Sequence, residues 1–317
     1  MTAARSMSAA TGDLRLFDPR RGEVAFKLER LPPPAELSLP QRFNYFTVLQ
    51  IREGVGRFHA DLATYDFQSP TLLFFNPYQT FFLAADAPLS GARLQFHANF
   101  FCIETHHEAV GCNGVLFNDI YGPPLVRLDA AMADEFDRLT SRIEEELMTA
   151  GLAQTEVLVS YLKVFLIKAT RLKLEQQPAL ADISTSEHPP LPARLTDLIE
   201  RQYPPKHSPA PYAAELNITP KALGRLVKQH FRRTLTELIR ERLLKHAKWQ
   251  LLHTTRPVKE IAWEIGFTDE LYFSRLFRRA TGISPTAFRE FETAIRGGRN
   301  LSMSPLPASL PPQSSVC

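Results

Sequence analysis

Cysteine is scarce in this chain of 317 residues: Cys102, Cys112 and Cys317 form an odd, sparse set. That excludes a disulfide framework and points to a reducing compartment. Long apolar runs are missing as well. No stretch approaches the ~20 apolar residues of a membrane-crossing helix, and Met1 to Asp13, rich in Ala, Ser and Thr, lacks the apolar centre of a signal peptide. A cytoplasmic protein with no membrane partner is expected. Catalytic signatures are also lacking, with no Ser-His-Asp set, phosphate-cradling loop or paired-acid motif in the chain.

What is present is a charge asymmetry. The formal net charge is only +3, yet the residues up to Pro190 carry 17 basic and 23 acidic side chains, a net of −6, whereas Leu191 to Arg296 carry 19 and 11, a net of +8. A basic segment of about a hundred residues joined to an acidic one suits a polyanion-binding domain attached to a sensing or assembly domain.

Proline-rich and polar passages divide the chain. We expect residues 1–176 to form one unit, 177–191 a linker, 192–296 a second unit and 297–317 a disordered tail. From Val24 to Phe101, aromatic and β-branched residues alternate with polar ones, and Gly54, Gly56, Pro70, Pro77, Pro88 and Gly91 interrupt them. The pattern predicts short antiparallel strands in a small jelly roll. Two amphipathic helices follow, over Asp129–Met148 and Leu152–Leu174, joined through Gly151 as an antiparallel hairpin. Their near-heptad spacing allows pairing between two chains, in a homodimer, or covering of the chain's own sheet.

The basic segment reads as all-helical. Thr219-Pro220 is an N-cap followed by a first-turn proline, and it starts a helix with Leu223, Leu226 and Val227 on one face and Lys221, Gly224, Arg225 and Lys228 on the other. Fifty residues on, Phe273, Leu276 and Phe277 repeat the apolar face. There Gly266 turns the chain, Thr268 or Asp269 caps, and Glu270, Leu271, Ser274 and Arg275 face outward. Two helix-turn-helix modules are thus expected, each setting one helix against the same polyanion. Arg225 and Arg275 suit bidentate contacts to guanine. Lys228, Arg278 and Arg279 suit phosphates, as do Arg240, Arg242, Lys245 and Lys248 on the helix between the modules.

Ile261-Ala262, Gly266-Phe267, Tyr272-Phe273-Ser274-Arg275-Leu276-Phe277-Arg278, Gly282-Ile283-Ser284-Pro285 and Phe288-Arg289 form a long ordered signature. By it, residues 191–296 resemble the DNA-binding domain of the AraC/XylS family of bacterial transcription regulators. The resemblance implies seven helices, with recognition helices in successive major-groove segments of promoter DNA. It implies base-reading positions at Lys221, Gly224 and Arg225, and at Glu270, Leu271, Tyr272, Ser274 and Arg275. It further implies RNA polymerase as a partner, activation as the commoner mode with repression or architectural binding as the alternative, and a cupin-like N-terminal domain. The overall class is then multidomain α+β. Two positions depart from the family pattern: Arg232 stands where Gly282 would be its counterpart, and Val227 where Phe is common. Gly224 also removes a reading side chain, so a less stringent first box is expected.

In the N-terminal half, Phe43, Tyr45, Phe46, Phe58, Phe75 and Tyr78 either line a site for an apolar or aromatic effector or simply fill the core. Cys102, His106, His107 and Cys112, near His97 and Glu104, bring soft ligands within sixteen positions. Zinc, iron or a Cys102–Cys112 redox pair are the readings such residues allow. The Cys-x₃-His-His-x₄-Cys spacing matches no zinc pattern, however, and His97 and Cys102 would fall on opposite faces of a strand. A structural or solvent-exposed set is the alternative, and no cofactor is assigned. A catalytic jelly roll would carry a His-x-His pair near Gly54 to Asp61, where this chain has His59 alone.

Overall fold

A computed structural model describes residues 14–17, 24–61, 63–85, 87–98, 100–101, 115–117, 121–149, 151–176 and 190–296. Cys102, Glu104, His106, His107 and Cys112 lie outside the described residues, as do the expected tail and nearly all of the expected linker.

Among the described residues, nine strands build the N-terminal half: β1 (Leu14–Phe17), β2 (Val24–Arg30), β3 (Phe46–Glu53), β4 (Val55–Ala60), β5 (Ala63–Gln68), β6 (Thr71–Phe75), β7 (Phe81–Ala84), β8 (Ser90–Phe96) and β9 (Leu125–Arg127), with a short helix α1 (Pro34–Leu37) after β2. They pair antiparallel in two sheets, one ordered β1-β2-β8-β3-β6-β9 and the other β5-β4-β7. Alternation along β3 shows how the layers arise. Leu49 and Ile51 point between the sheets, where they meet Phe58, Phe75, Phe81 and Leu83. Phe46 and Val48 point the other way, against the helices α2 (Ala130–Thr149) and α3 (Gln154–Gln176) through Phe136, Ile143, Leu162 and Phe165. The helical pair therefore covers a sheet of its own chain. Gln50 fastens it, donating to Asp137 Oδ1 at 2.6 Å and accepting from Thr140 Oγ1 at 2.6 Å.

Two expectations change at the strand ends. β1 was not legible in the sequence, because four residues of half-buried edge strand give too short an alternation to read. The last long strand stops at Phe96, where the N–H groups of Phe100 and Phe101 both turn back to the His97 carbonyl, so His97 lies past the strand end and the opposite-face argument does not apply to it.

The C-terminal half contains seven helices among the described residues: α4 (Leu191–Gln202), α5 (Pro209–Glu215), α6 (Pro220–Phe231), α7 (Leu235–His253), α8 (Val258–Glu264), α9 (Glu270–Thr281) and α10 (Pro285–Arg296). Thr234 and Glu237 close a capping box at the start of α7, with Glu237 accepting from the Thr234 N–H at 2.7 Å. The buried side of α7, including Leu238, Ile239, Leu243, Ala247 and Leu251, joins the helices on either side into one core. Tyr78 reaches into that core from the N-terminal half. Its ring lies 5.1 Å from that of Phe288 and its hydroxyl donates to Glu292 Oε1 at 2.6 Å.

Candidate nucleic-acid interface

Two helix-turn-helix units present the site. In the first, α5 leads through Asn217, in the left-handed region at φ 56°, into α6, where Thr219 Oγ1 accepts the Ala222 N–H at 3.2 Å. Leu223, Val227 and Phe231 are buried, which leaves Lys221, Gly224, Arg225 and Lys228 in solvent. In the second, α8 leads through Gly266 at φ 85° into α9, where Asp269 Oδ1 accepts the Leu271 N–H at 2.8 Å. Phe273, Phe277 and Thr281 are buried; Leu271, Tyr272, Arg275, Arg278 and Arg279 are exposed, and Glu270 and Ser274 are half-buried. The 3.6-residue period of each helix separates a packing stripe from an exposed face.

Gly266 is required for two reasons. Its φ excludes ordinary side chains, and a Cβ there would fall 2.0 Å from the Pro204 carbonyl. His207 Nε2 also sits against that turn, 2.9 Å from Pro204 O and 3.0 Å from Ile265 O. The end of α4 thereby sets the angle of the second unit.

The exposed face of α6 carries Lys221, Arg225 and Lys228, and that of α9 carries Arg275, Arg278 and Arg279 with Glu270 beside them at its start; the N-terminal turn of each helix adds backbone N–H groups without intrahelical partners. Lys228 and Arg278 flank these faces in solvent, as phosphate contacts would need. Arg242 differs. It is half-buried, its Nε donates to Glu200 Oε2 at 2.7 Å, and its guanidinium lies 4.1 Å from the centre of the Tyr203 ring. The outer side of α7 faces the N-terminal half across a cavity of about 740 Å³, lined among others by Arg240, Arg242, Lys245, Lys248 and Arg279. Arg242 thus faces other parts of its own chain, which periodicity alone could not show, whereas Arg279 borders the same half-open cleft and stays exposed to solvent. Burial there pushes the Lys248 ammonium below its usual range and the Asp61 carboxyl above its own, each shift opposed by the other group's charge. Burial also holds His246 below the usual imidazole range, against the opposing charge of Glu264 at 3.2 Å.

The proposed effector residues are not gathered around one opening. Phe58 and Phe75 are fully buried and meet edge to face at 5.9 Å, Phe75 stacks on Phe81 at 4.0 Å, and Phe43 packs 6.0 Å from Phe81. Tyr45 donates to the Val24 carbonyl at 2.9 Å. Of the six, only Phe46 and Tyr78 border the cavity between the halves. Among the described residues no cluster of His, Cys, Asp and Glu is arranged to hold a metal ion, and no helix is long and apolar enough to cross a membrane.

Residues 212–290 match the family model described as a helix-turn-helix domain, HTH_18. The chain is 32% identical over 116 residues to the arabinose operon regulatory protein of Salmonella typhimurium strain LT2, an alignment covering 35% of this chain and 41% of that protein. It is 26% identical over 180 residues to the HTH-type transcriptional activator RhaR of Enterobacter sp. strain 638, covering 55% and 60%. Among solved structures, the C-terminal domain of AraT, a response regulator from Geobacillus stearothermophilus, is 29% identical with a TM-score of 0.32, covering 33% of this chain and 88% of that one. The chain thus spans less than two thirds of the length of these two regulators. With its two capped helices, the C-terminal region is thus similar to a helix-turn-helix domain and, over 116 residues, to the arabinose operon regulatory protein.

Proposed function

We propose that this chain is a sequence-specific regulator that reads two successive major-groove segments of promoter DNA with α6 and α9. The observation that carries the reading is the repetition, at an offset of fifty residues, of a buried apolar stripe behind an exposed arginine, Arg225 in one unit and Arg275 in the other. Lys221, Gly224 and Arg225 read the first box; Glu270, Leu271, Tyr272, Ser274 and Arg275 read the second. Lys228, Arg278 and Arg279 serve phosphates. Activation in contact with RNA polymerase is the mode we infer, in keeping with relatives named as activators, and a homodimer would double the boxes. Selection of bound sites from a random duplex pool at near-physiological salt tests the reading. Two short boxes about one helical turn apart are expected, and a single box or none would count against it. A promoter–reporter fusion separates activation from repression or a purely architectural role.

Effector response falls to the cavity between the halves, with Tyr78 on its border, because the space between the two sheets is filled by aromatic side chains. The division into units at 1–176 and 192–296 belongs to the same reading. Limited proteolysis that released a DNA-binding fragment beginning near residue 190 would support that boundary.

A further inference from the structure

Leu271 is 73% exposed on the first turn of α9, a large aliphatic side chain left in water while Phe273 and Phe277 of the same helix are fully buried. It does nothing for the core beneath it. Its backbone is nonetheless fixed, since its N–H is held by Asp269 Oδ1 at 2.8 Å. Four residues on, Arg275 shares its face in solvent. Tyr272, also exposed, leans its ring toward Phe267, 5.9 Å away.

The major-groove edges of the bases offer donors, acceptors and a single apolar substituent, the 5-methyl group of thymine. Resting on the reading of α9 as a recognition helix, we propose that Leu271 is the specificity determinant for a thymine in the second box, packing its side chain against that methyl group. Four residues of helix rise span ~6 Å and stacked bases are ~3.4 Å apart. The thymine therefore lies within about two steps of the guanine taken by Arg275. The first unit has no equivalent, because fifty residues upstream of Leu271 stands Lys221, whose ammonium gains nothing from a methyl group. Methyl reading is confined to one half of the site.

The test uses the full chain and a duplex recovered by selection. Each thymine of the second box is replaced in turn by uracil, which deletes the methyl group and keeps every hydrogen-bonding atom. We expect one position at which the replacement weakens wild-type binding about fourfold, the effect of one buried methyl-sized group. Leu271→Ala, and Leu271→Gln as a second variant of good helix propensity, should bind the thymine and uracil duplexes equally, with melting temperatures close to wild type because the side chain is exposed. A second box without a uracil-sensitive position, or sensitivity that persists in both variants, overturns the inference. Failure of the wild type to recover any duplex overturns the DNA-reading role instead.

Discussion

In the first helix-turn-helix unit the reading helix ends on Arg232 at φ 58°, and in the second it ends on Gly282 at φ 88°. Both chains leave their helix through the left-handed region, which costs a glycine little and a side-chain-bearing residue about 1–2 kcal/mol. The contrast extends along the helices. The second unit buries Phe277 where the first buries Val227, turns through Gly266 where the first uses Asn217, and carries Ser274 where the first has Gly224. One geometry is therefore reached twice with different reserves of stability. The same backbone plan does not require the same residues, and the first unit is the less firmly built.

The largest effect that could break this comparison is in the core. Phe277→Ala should cost about 3–5 kcal/mol and Val227→Ala roughly 1.6 kcal/mol, the loss of two buried methyl-sized groups. Urea unfolding of the two variants measures both, and equal losses would remove the asymmetry. Next comes base reading. Arg275→Ala should lose about 1–3 kcal/mol of discrimination between selected and scrambled duplexes, and Arg225→Ala less, because Gly224 leaves the first face with fewer contacts. A first box stronger than the second in selected sites would reverse the order.

Smaller effects sharpen the backbone argument. Arg232→Gly should raise stability by about 1 kcal/mol by relieving the left-handed residue. Gly224→Ala should add a similar ~1 kcal/mol of helix propensity, since a Cβ there meets nothing within 4 Å. Thermal melting reads both, and a fall in melting temperature for either would mean a contact that the folded chain does not show. The smallest effect concerns salt. Lys228→Ala should lower the slope of log affinity against log salt by about 1, whereas Arg242→Ala, already engaged by Glu200, should leave it nearly unchanged. Titrations at several salt concentrations distinguish the two.

Much of the exposed and buried division of α6 and α9 was legible in advance because its causes are local. Thr219 and Asp269 announce their helices by cap chemistry, and the spacing of Phe273, Phe277, Leu223 and Val227 assigns the buried sides. The left-handed Arg232 follows from its place opposite Gly282. The helical hairpin was legible as two helices but not in its partner, since amphipathicity states that a face is covered and not by what. Gln50, bonded to Asp137 and Thr140, shows that α2 lies on the chain's own sheet. The aromatic residues of the N-terminal half were visible too, but core and ligand pocket draw on the same side chains, and only their packing on one another and on Phe81 shows that Phe58 and Phe75 fill space.

By itself the sequence determined two capped helices with apolar backs and cationic fronts and the turns before them, because each depends on residues within a turn or two of one another. Tertiary structure alone decided which cations face outward. Arg242 and Lys248 sit on the polar side of α7 exactly as periodicity requires, yet that side meets Glu200, Asp61 and the cavity. Helical period fixes the direction of a side chain relative to its own axis; what lies in that direction is set by packing between segments far apart in the chain.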